Sequence, residues 1–274
     1  MMETVGGYAD ILGANLYYEV SGQGQPLIMI HAGVADSRQW NSEFARFSDG
    51  YRVVRYDLRG FGRSEPVNAD YSHMSDLDGL LAFLAIEEPV VLMGCSMGGG
   101  LAMDYALAKP SRVKALIMVD AGPSGLKLDV PPHPKAEEAE AAYEAGNLDL
   151  VAELETQIWF DGMGRTPEEV DPKMRALAFE MNRQDLMHDA KHLGKRLPDA
   201  EIPAAGRLEE LRVPVLIVVG EQDIPFIQAA ADLMQARIPS AKKVVIQDAA
   251  HLPNMDHPGL FQDAVVEFLN DLGS

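Results

Sequence analysis

Apolar residues follow two rhythms along this chain. Four short segments are apolar at almost every position: 26–30 (PLIMI), 90–93 (VVLM), 115–119 (ALIMV) and 215–219 (VLIVV). Other segments carry apolar residues at helical spacing, among them 75–86, 97–109, 225–238 and 258–272. Apolar runs without alternation indicate strands buried on both faces. Their alternation with amphipathic helices indicates a parallel sheet covered on both sides. Two strands read from 8–22 around a turn at Gly13-Ala14-Asn15, and further strands from 51–57 and 241–247, bring the expected sheet to about eight.

The rhythm breaks between 123 and 206. Segments 134–162 and 166–197 read as helical with no strand between them. Thr166, Pro167 and Glu169 form a helix-start signature, with Thr166 as the cap. An all-helical insertion between two strands predicts a lid over the C-terminal edge of the sheet, where open α/β sheets bind ligands. The expected division is a core of 1–122 and 207–274 interrupted by a lid of 123–206.

Composition narrows the function. A length of 274 residues suits one large domain with an insertion. The formal net charge of -19 disfavours nucleic-acid and anionic-membrane partners. No apolar run approaches the roughly 20 residues of a membrane span, and 1–10 carry no secretory pattern. The single cysteine, Cys95, allows no internal disulfide and agrees with a reducing, cytoplasmic setting.

The chemistry concentrates at strand ends. Gly94-Cys95-Ser96-Met97-Gly98 joins an apolar strand to a helix in the pattern G-x-S-x-G. A reversal this tight strains its central residue, requires small neighbours two positions away, and exposes a hydroxyl at a helix N-terminus. Ser96 is therefore the candidate nucleophile. Cys95 has Met93 and Met97 two positions away and is expected to point into the core. A serine hydroxyl needs a base. Among seven histidines, His251 directly follows the strand at 241–247; His31 reads as a loop anchor, and His133, His188 and His192 as solvated residues of the insertion. Asp223, ending 215–223, is the candidate acid and Asp120 its rival. The Met97 N–H and that of Gly33, or alternatively Val34, could stabilise an oxyanion.

Together the motifs HAG (31–33), DLRGFGRS (57–64), GCSMGG (94–99), GEQD (220–223) and AAHLPNMDHP (249–258) resemble those of the α/β-hydrolase superfamily. The resemblance spans nearly the whole chain outside the insertion. It implies a mostly parallel, roughly eight-stranded α/β-hydrolase sheet with helices on both faces and a helical lid. It also implies Ser96 as nucleophile, Asp223 as acid, His251 as base, and Gly33 and Met97 as the oxyanion hole. The similarity is strongest to small carboxylesterases and 3-oxoadipate enol-lactonase-like hydrolases. It departs from them at His31-Ala32, where His-Gly is usual. The implied activity is cleavage of esters with short to medium acyl chains, or of lactones, with a non-catalytic receptor as the remaining alternative. The expected substrate is a small ester or lactone, with no cofactor and no metal; homo-oligomers are compatible. Trp159, Phe160, Val34 and Leu252 are expected at the substrate, within an apolar, methionine-rich wall. Arg165, Arg175 and Arg183 are candidates for a substrate carboxylate.

Overall fold

The computed structural model describes residues 4–272; residues 1–3, part of the segment read as lacking a secretory pattern, lie outside them. Eight strands form one sheet: β1 (Thr4–Ile11), β2 (Ala14–Ser21), β3 (Pro26–Ile30), β4 (Arg52–Tyr56), β5 (Val90–Cys95), β6 (Val113–Val119), β7 (Val215–Gly220) and β8 (Ala241–Ile246). Their order is β1-β2-β4-β3-β5-β6-β7-β8. β1 and β2 pair antiparallel, β2 joins β4 antiparallel, and the remaining pairs are parallel.

The expected first turn shifts by one to two residues. Leu12 and Gly13 alone form it, both at positive φ, and Ala14 already pairs with Ile11. A two-residue hairpin with both central residues left-handed matches the twist of the strands it joins.

Strand periodicity sorts the core into two layers. Ile28, Ile30 and Leu92 face one side, with α2 (His73–Phe83), α3 (Met97–Ala108) and α7 (Pro225–Arg237) packed there. Leu27, Met29, Val91, Met93 and Cys95 face the other, under α1 (Asn41–Phe47) and α9 (Pro258–Asp271). β3, β5 and β7 are buried throughout, and β6 everywhere but Lys114, whereas edge strand β8 is mostly part-exposed.

Between β6 and β7 the described residues contain helices and no strand: α4 (Ala136–Glu144), α5 (Leu148–Thr156), a π-helical turn over Gln157–Asp161, and α6 (Pro172–Asp189). Thr166 caps only a turn. Glu169 reaches back to the Thr166 N–H at 2.8 Å, but the helix begins at Pro172, capped by Asp171. The reason is Pro172: inside a helix it would lack an N–H and strike the preceding turn, whereas the first helical position tolerates it. α8 (Pro253–Asp256) is a single turn before α9. Among the described residues no helix is long and apolar enough to cross a membrane.

Candidate active site

Parallel strands deliver their following loops to one edge, and that edge collects the chemistry. Ser96 follows β5 directly at φ 50 and ψ -112, a conformation costly for a residue with a side chain. Close packing enforces it. A Cβ on Gly94 would strike the Gly98 carbonyl, and one on Gly98 would strike the carbonyls of Ile30 and His31. The turn is further pinned by a 2.8 Å bond from the Ser96 N–H to the Val119 carbonyl. Ser96 thus sits at the N-terminus of α3, where the first N–H groups have no partner within the helix. Cys95 lies wholly buried beneath it, its thiol pushed up by burial and within 3.5 Å of the His251 carbonyl.

His251 and Asp223, from loops after β8 and β7, meet at 2.7 Å between Nδ1 and Oδ2. Both are almost fully buried. The second Asp223 oxygen accepts the Ile224 N–H at 2.7 Å. One carboxylate thus holds both the imidazole and its own loop, and Nε2 is left for another partner. The Trp159 ring lies 4.6 Å from that of His251, and the Trp159 carbonyl accepts the His251 N–H at 3.1 Å. The π-helical turn carries Trp159 to this position; such turns recur at functional sites.

Gly33 lies beside Met97: a Cβ there would sit 3.7 Å from its side chain. The loop holding Gly33 is anchored twice. His31 Nε2 accepts the Leu58 N–H at 2.9 Å and Nδ1 donates to the Ala32 carbonyl at 2.8 Å, while burial pushes this imidazole toward its neutral form. The Ala32 N–H donates to Gln39 Oε1 at 2.9 Å. Gln39 is bonded to Asn254, just beyond His251, and Asn254 donates to Glu43 at 3.0 Å. This buried network ties the base loop to the Gly33 loop. Sequence reasoning missed Gln39, Glu43 and Asn254. The signal available was the polar Asn254 between apolar Pro253 and Met255, just beyond His251.

Next to Gly33, Val34 and Met97 a cavity of about 500 Å³ opens beneath the insertion. Its wall differs from expectation. Phe160 and Leu252 are core residues, enclosing with Val34 and Trp159 a void of only about 10 Å³. Met181 is buried, whereas Met163 and Met187 are exposed. The larger cavity is instead lined from α6 by Asn182, Asp185, Leu186 and His188, from later in the insertion by Arg196, and from the core by His73. His188 is therefore buried rather than solvated, its Nδ1 3.2 Å from the Gly60 carbonyl. Burial holds the His73 imidazole down at about 3 and raises the Asp185 carboxyl well above the carboxylate range. Both groups are thereby held toward their neutral forms, on a wall that also carries the charged Arg196.

None of Arg165, Arg175 and Arg183 lines this cavity. Arg165 pairs with Asp256, Arg175 with Asp161 and Glu153, and Arg183 with Asp149. Arg196 bridges instead: it reaches Met97 Sδ at 3.0 Å and lines both the large cavity and a smaller one, of about 330 Å³, onto which Ser96 opens.

A family model described as the alpha/beta hydrolase fold matches residues 25–258. The chain is 29% identical to a pimeloyl-[acyl-carrier protein] methyl ester esterase of Yersinia pseudotuberculosis, over 93% of this chain and 98% of that protein. Among solved structures it resembles Est816, an N-acyl homoserine lactone degrading enzyme, with TM-score 0.78 and 25% identity over 96% of this chain and 100% of that one. It likewise resembles a thermophilic esterase from Thermogutta terrifontis, with TM-score 0.76 and 26% identity over 99% of this chain and all of that one. The chain belongs to the alpha/beta hydrolase fold family.

Proposed function

We propose that this protein is a serine hydrolase of carboxylic esters, with Ser96 as nucleophile, His251 as base and Asp223 as the acid that orients it. The observation that carries the proposal is Ser96 itself. It is a non-glycine residue held at φ 50 on a helix N-terminus, in a turn whose packing admits only glycine on either side. That strain has a use if the hydroxyl must be presented to a substrate.

In this mechanism His251 Nε2 takes the Ser96 proton as Oγ attacks the ester carbonyl. The resulting oxyanion is met by the N–H groups of Met97 and Gly33, with the positive end of α3 behind the first. Collapse expels the alcohol, which receives the proton from His251 and leaves an acyl-enzyme. Water then repeats the sequence and releases the acid. Asp223 keeps Nδ1 protonated and stabilises the imidazolium.

The segment 123–206 acts as a lid over the core formed by 1–122 and 207–274. In support, α6 docks on the loop after β4: the Gly62 N–H donates to Asp185 and Gln184 donates to the Gly62 carbonyl. A cavity of about 500 Å³ suits a short to medium acyl group. A second reading, a lactonase, is favoured by the polar wall of Asn182, Asp185, His188 and Arg196, which suits a ring ester with a polar substituent better than a plain alkyl chain. The similarity to Est816 points the same way.

Turnover of p-nitrophenyl esters, plain lactones and acylamino-lactones by purified enzyme tests both readings. Ester turnover should exceed background, and Ser96→Ala should lower kcat by roughly 10⁶. Lactones turned over faster than every ester would favour the second reading. Full activity in folded Ser96→Ala would refute both.

A further inference from the structure

Asp120 is 1% exposed and follows β6 at φ 42, an uncommon conformation for a residue with a side chain. Its backbone N–H donates to the Val218 carbonyl at 2.8 Å, and its Oδ1 accepts the Gly220 N–H at 2.8 Å. The carboxyl is thus fixed toward the loop that carries Asp223. Its Oδ2 is sealed from solvent and meets no N–H or hydroxyl donor. What it meets is another acid: one oxygen of Asp120, one of Asp223 and a ring nitrogen of His251 all lie within 4.8 Å of one another.

The titratable groups facing Asp120 are Asp223 from the loop after β7, His251 from the loop after β8, and the Cys95 thiol at the end of β5. A single imidazole cannot balance two buried carboxylates, and two acceptors can bond to each other only when one carries a proton. Asp223 already receives two N–H groups, from Ile224 and His251. Asp120 receives one. Burial and the neighbouring Asp223 charge push the Asp120 carboxyl well above the carboxylate range.

We propose that Asp120 is a positioning residue of the active site: held as a neutral acid, it donates a hydrogen bond from Oδ2 to the Asp223 carboxylate. The inference rests on reading Ser96, His251 and Asp223 as the catalytic set. The Asp120 proton is resident and is not consumed; the travelling proton goes from Ser96 Oγ to His251 Nε2 and on to the leaving alcohol. The extra bond fixes the Asp223 rotamer. It also spreads the Asp223 charge, so that Asp223 holds the imidazolium without taking its proton.

Asparagine at 120 reproduces such a residue, since its oxygen can accept from Gly220 and its N–H can donate to Asp223. The test is kcat and KM against pH for wild type, Asp120→Asn and Asp120→Ala, with thermal unfolding to confirm folding. Asp120→Asn should keep kcat within about threefold and its acid limb within about 0.3 pH units. Asp120→Ala should lose about ten- to a hundredfold in kcat with KM little changed. Removing a charge beside His251 would lower the limb by about one unit or more. Such a shift in Asp120→Asn would mean that Asp120 is ionised, and would overturn the proposal. So would an Asp120→Ala enzyme with wild-type kcat.

A readout independent of turnover is ¹³C NMR of aspartate carboxyls, assigned with Asp120→Asn. The Asp120 signal should stay at the neutral-acid position from about pH 5 to about 8. A signal at the carboxylate position would overturn the proposal even if Asp120→Ala failed to fold. Activity surviving in Ser96→Ala would instead sink the catalytic reading, while the NMR result for the Asp120 proton would stand.

Discussion

The C-terminal edge of the sheet and the helical insertion are held by different means. At the edge, position comes from backbone and buried polar bonds. The Ser96 N–H is bonded to β6, Asp120 is bonded to β7, and Gln39 with Asn254 ties two loops together. In the insertion many ties are ion pairs at or near the surface, such as Arg183 with Asp149 and Arg38 with Glu180, which add little stability in water. On the proposed function, the edge holds the reacting atoms still and the insertion shapes the space beside them. Substitutions at the edge should therefore act on kcat, and those on the cavity wall on selectivity.

The largest expected effect is at the edge. Asp223→Asn should lower kcat for every ester by about 10⁴, because the amide no longer fixes the His251 tautomer. Steady-state rates on short and long esters check this. A loss confined to one chain length would erase the distinction between the two regions.

A second effect at the edge is on stability. Burial pushes the Glu43 carboxyl up to about 7, against the bonds from Gln262 and Asn254 that lower it. The folded state then binds this proton more tightly than the unfolded chain. Its contribution is full below about pH 4.3, falls as pH rises toward the folded value, and is flat beyond. Glu43→Gln removes that fall and should gain on wild type, by on the order of 3 kcal/mol, between about pH 4 and 8. Urea unfolding at both ends of the range measures the difference. A constant offset between the two proteins would show that folding leaves the Glu43 carboxyl unshifted.

In the insertion, Leu186→Trp should narrow the large cavity. Long acyl esters should lose about tenfold in kcat/KM relative to acetate, with the pH profile unchanged, since one methylene is worth about 1–3 kcal/mol. An unchanged chain-length profile would place the acyl group elsewhere, with the Ser96-side cavity the next candidate.

Trp159 belongs to the insertion by sequence but to the edge by contact. Trp159→Ala should lower kcat on all esters together by about two- to tenfold, the worth of one aromatic contact, leaving selectivity alone. A changed preference for bulky esters would return Trp159 to the substrate wall.

The two regions also differed in how much of them could be read from sequence. Apolar runs alternating with amphipathic segments are local signals, and a parallel sheet sends every βα loop to one edge. Ser96, Asp223 and His251 could therefore be placed there from the chain alone. Asp120 was visible as an acid at the same edge, but its pairing with Asp223 depends on the fold of two loops. The cavity wall was not legible. Helical spacing does not say which face of α6 turns inward, and Pro172 moved the start of that helix away from Thr166. Most of the apolar residues expected on the wall pack into the core or face solvent, and polar Asn182, Asp185 and His188 line the space beside Leu186.

The central claim is that Ser96 is the activated nucleophile. Intact-mass and peptide analysis after treatment with a fluorophosphonate tests it directly, since the reagent captures a serine only where a base and an oxyanion hole act on it. The account predicts one adduct per chain, on the peptide carrying Ser96, absent from Ser96→Ala and strongly slowed in His251→Ala. An unlabelled wild-type protein, or an adduct that persists in folded Ser96→Ala, would contradict it.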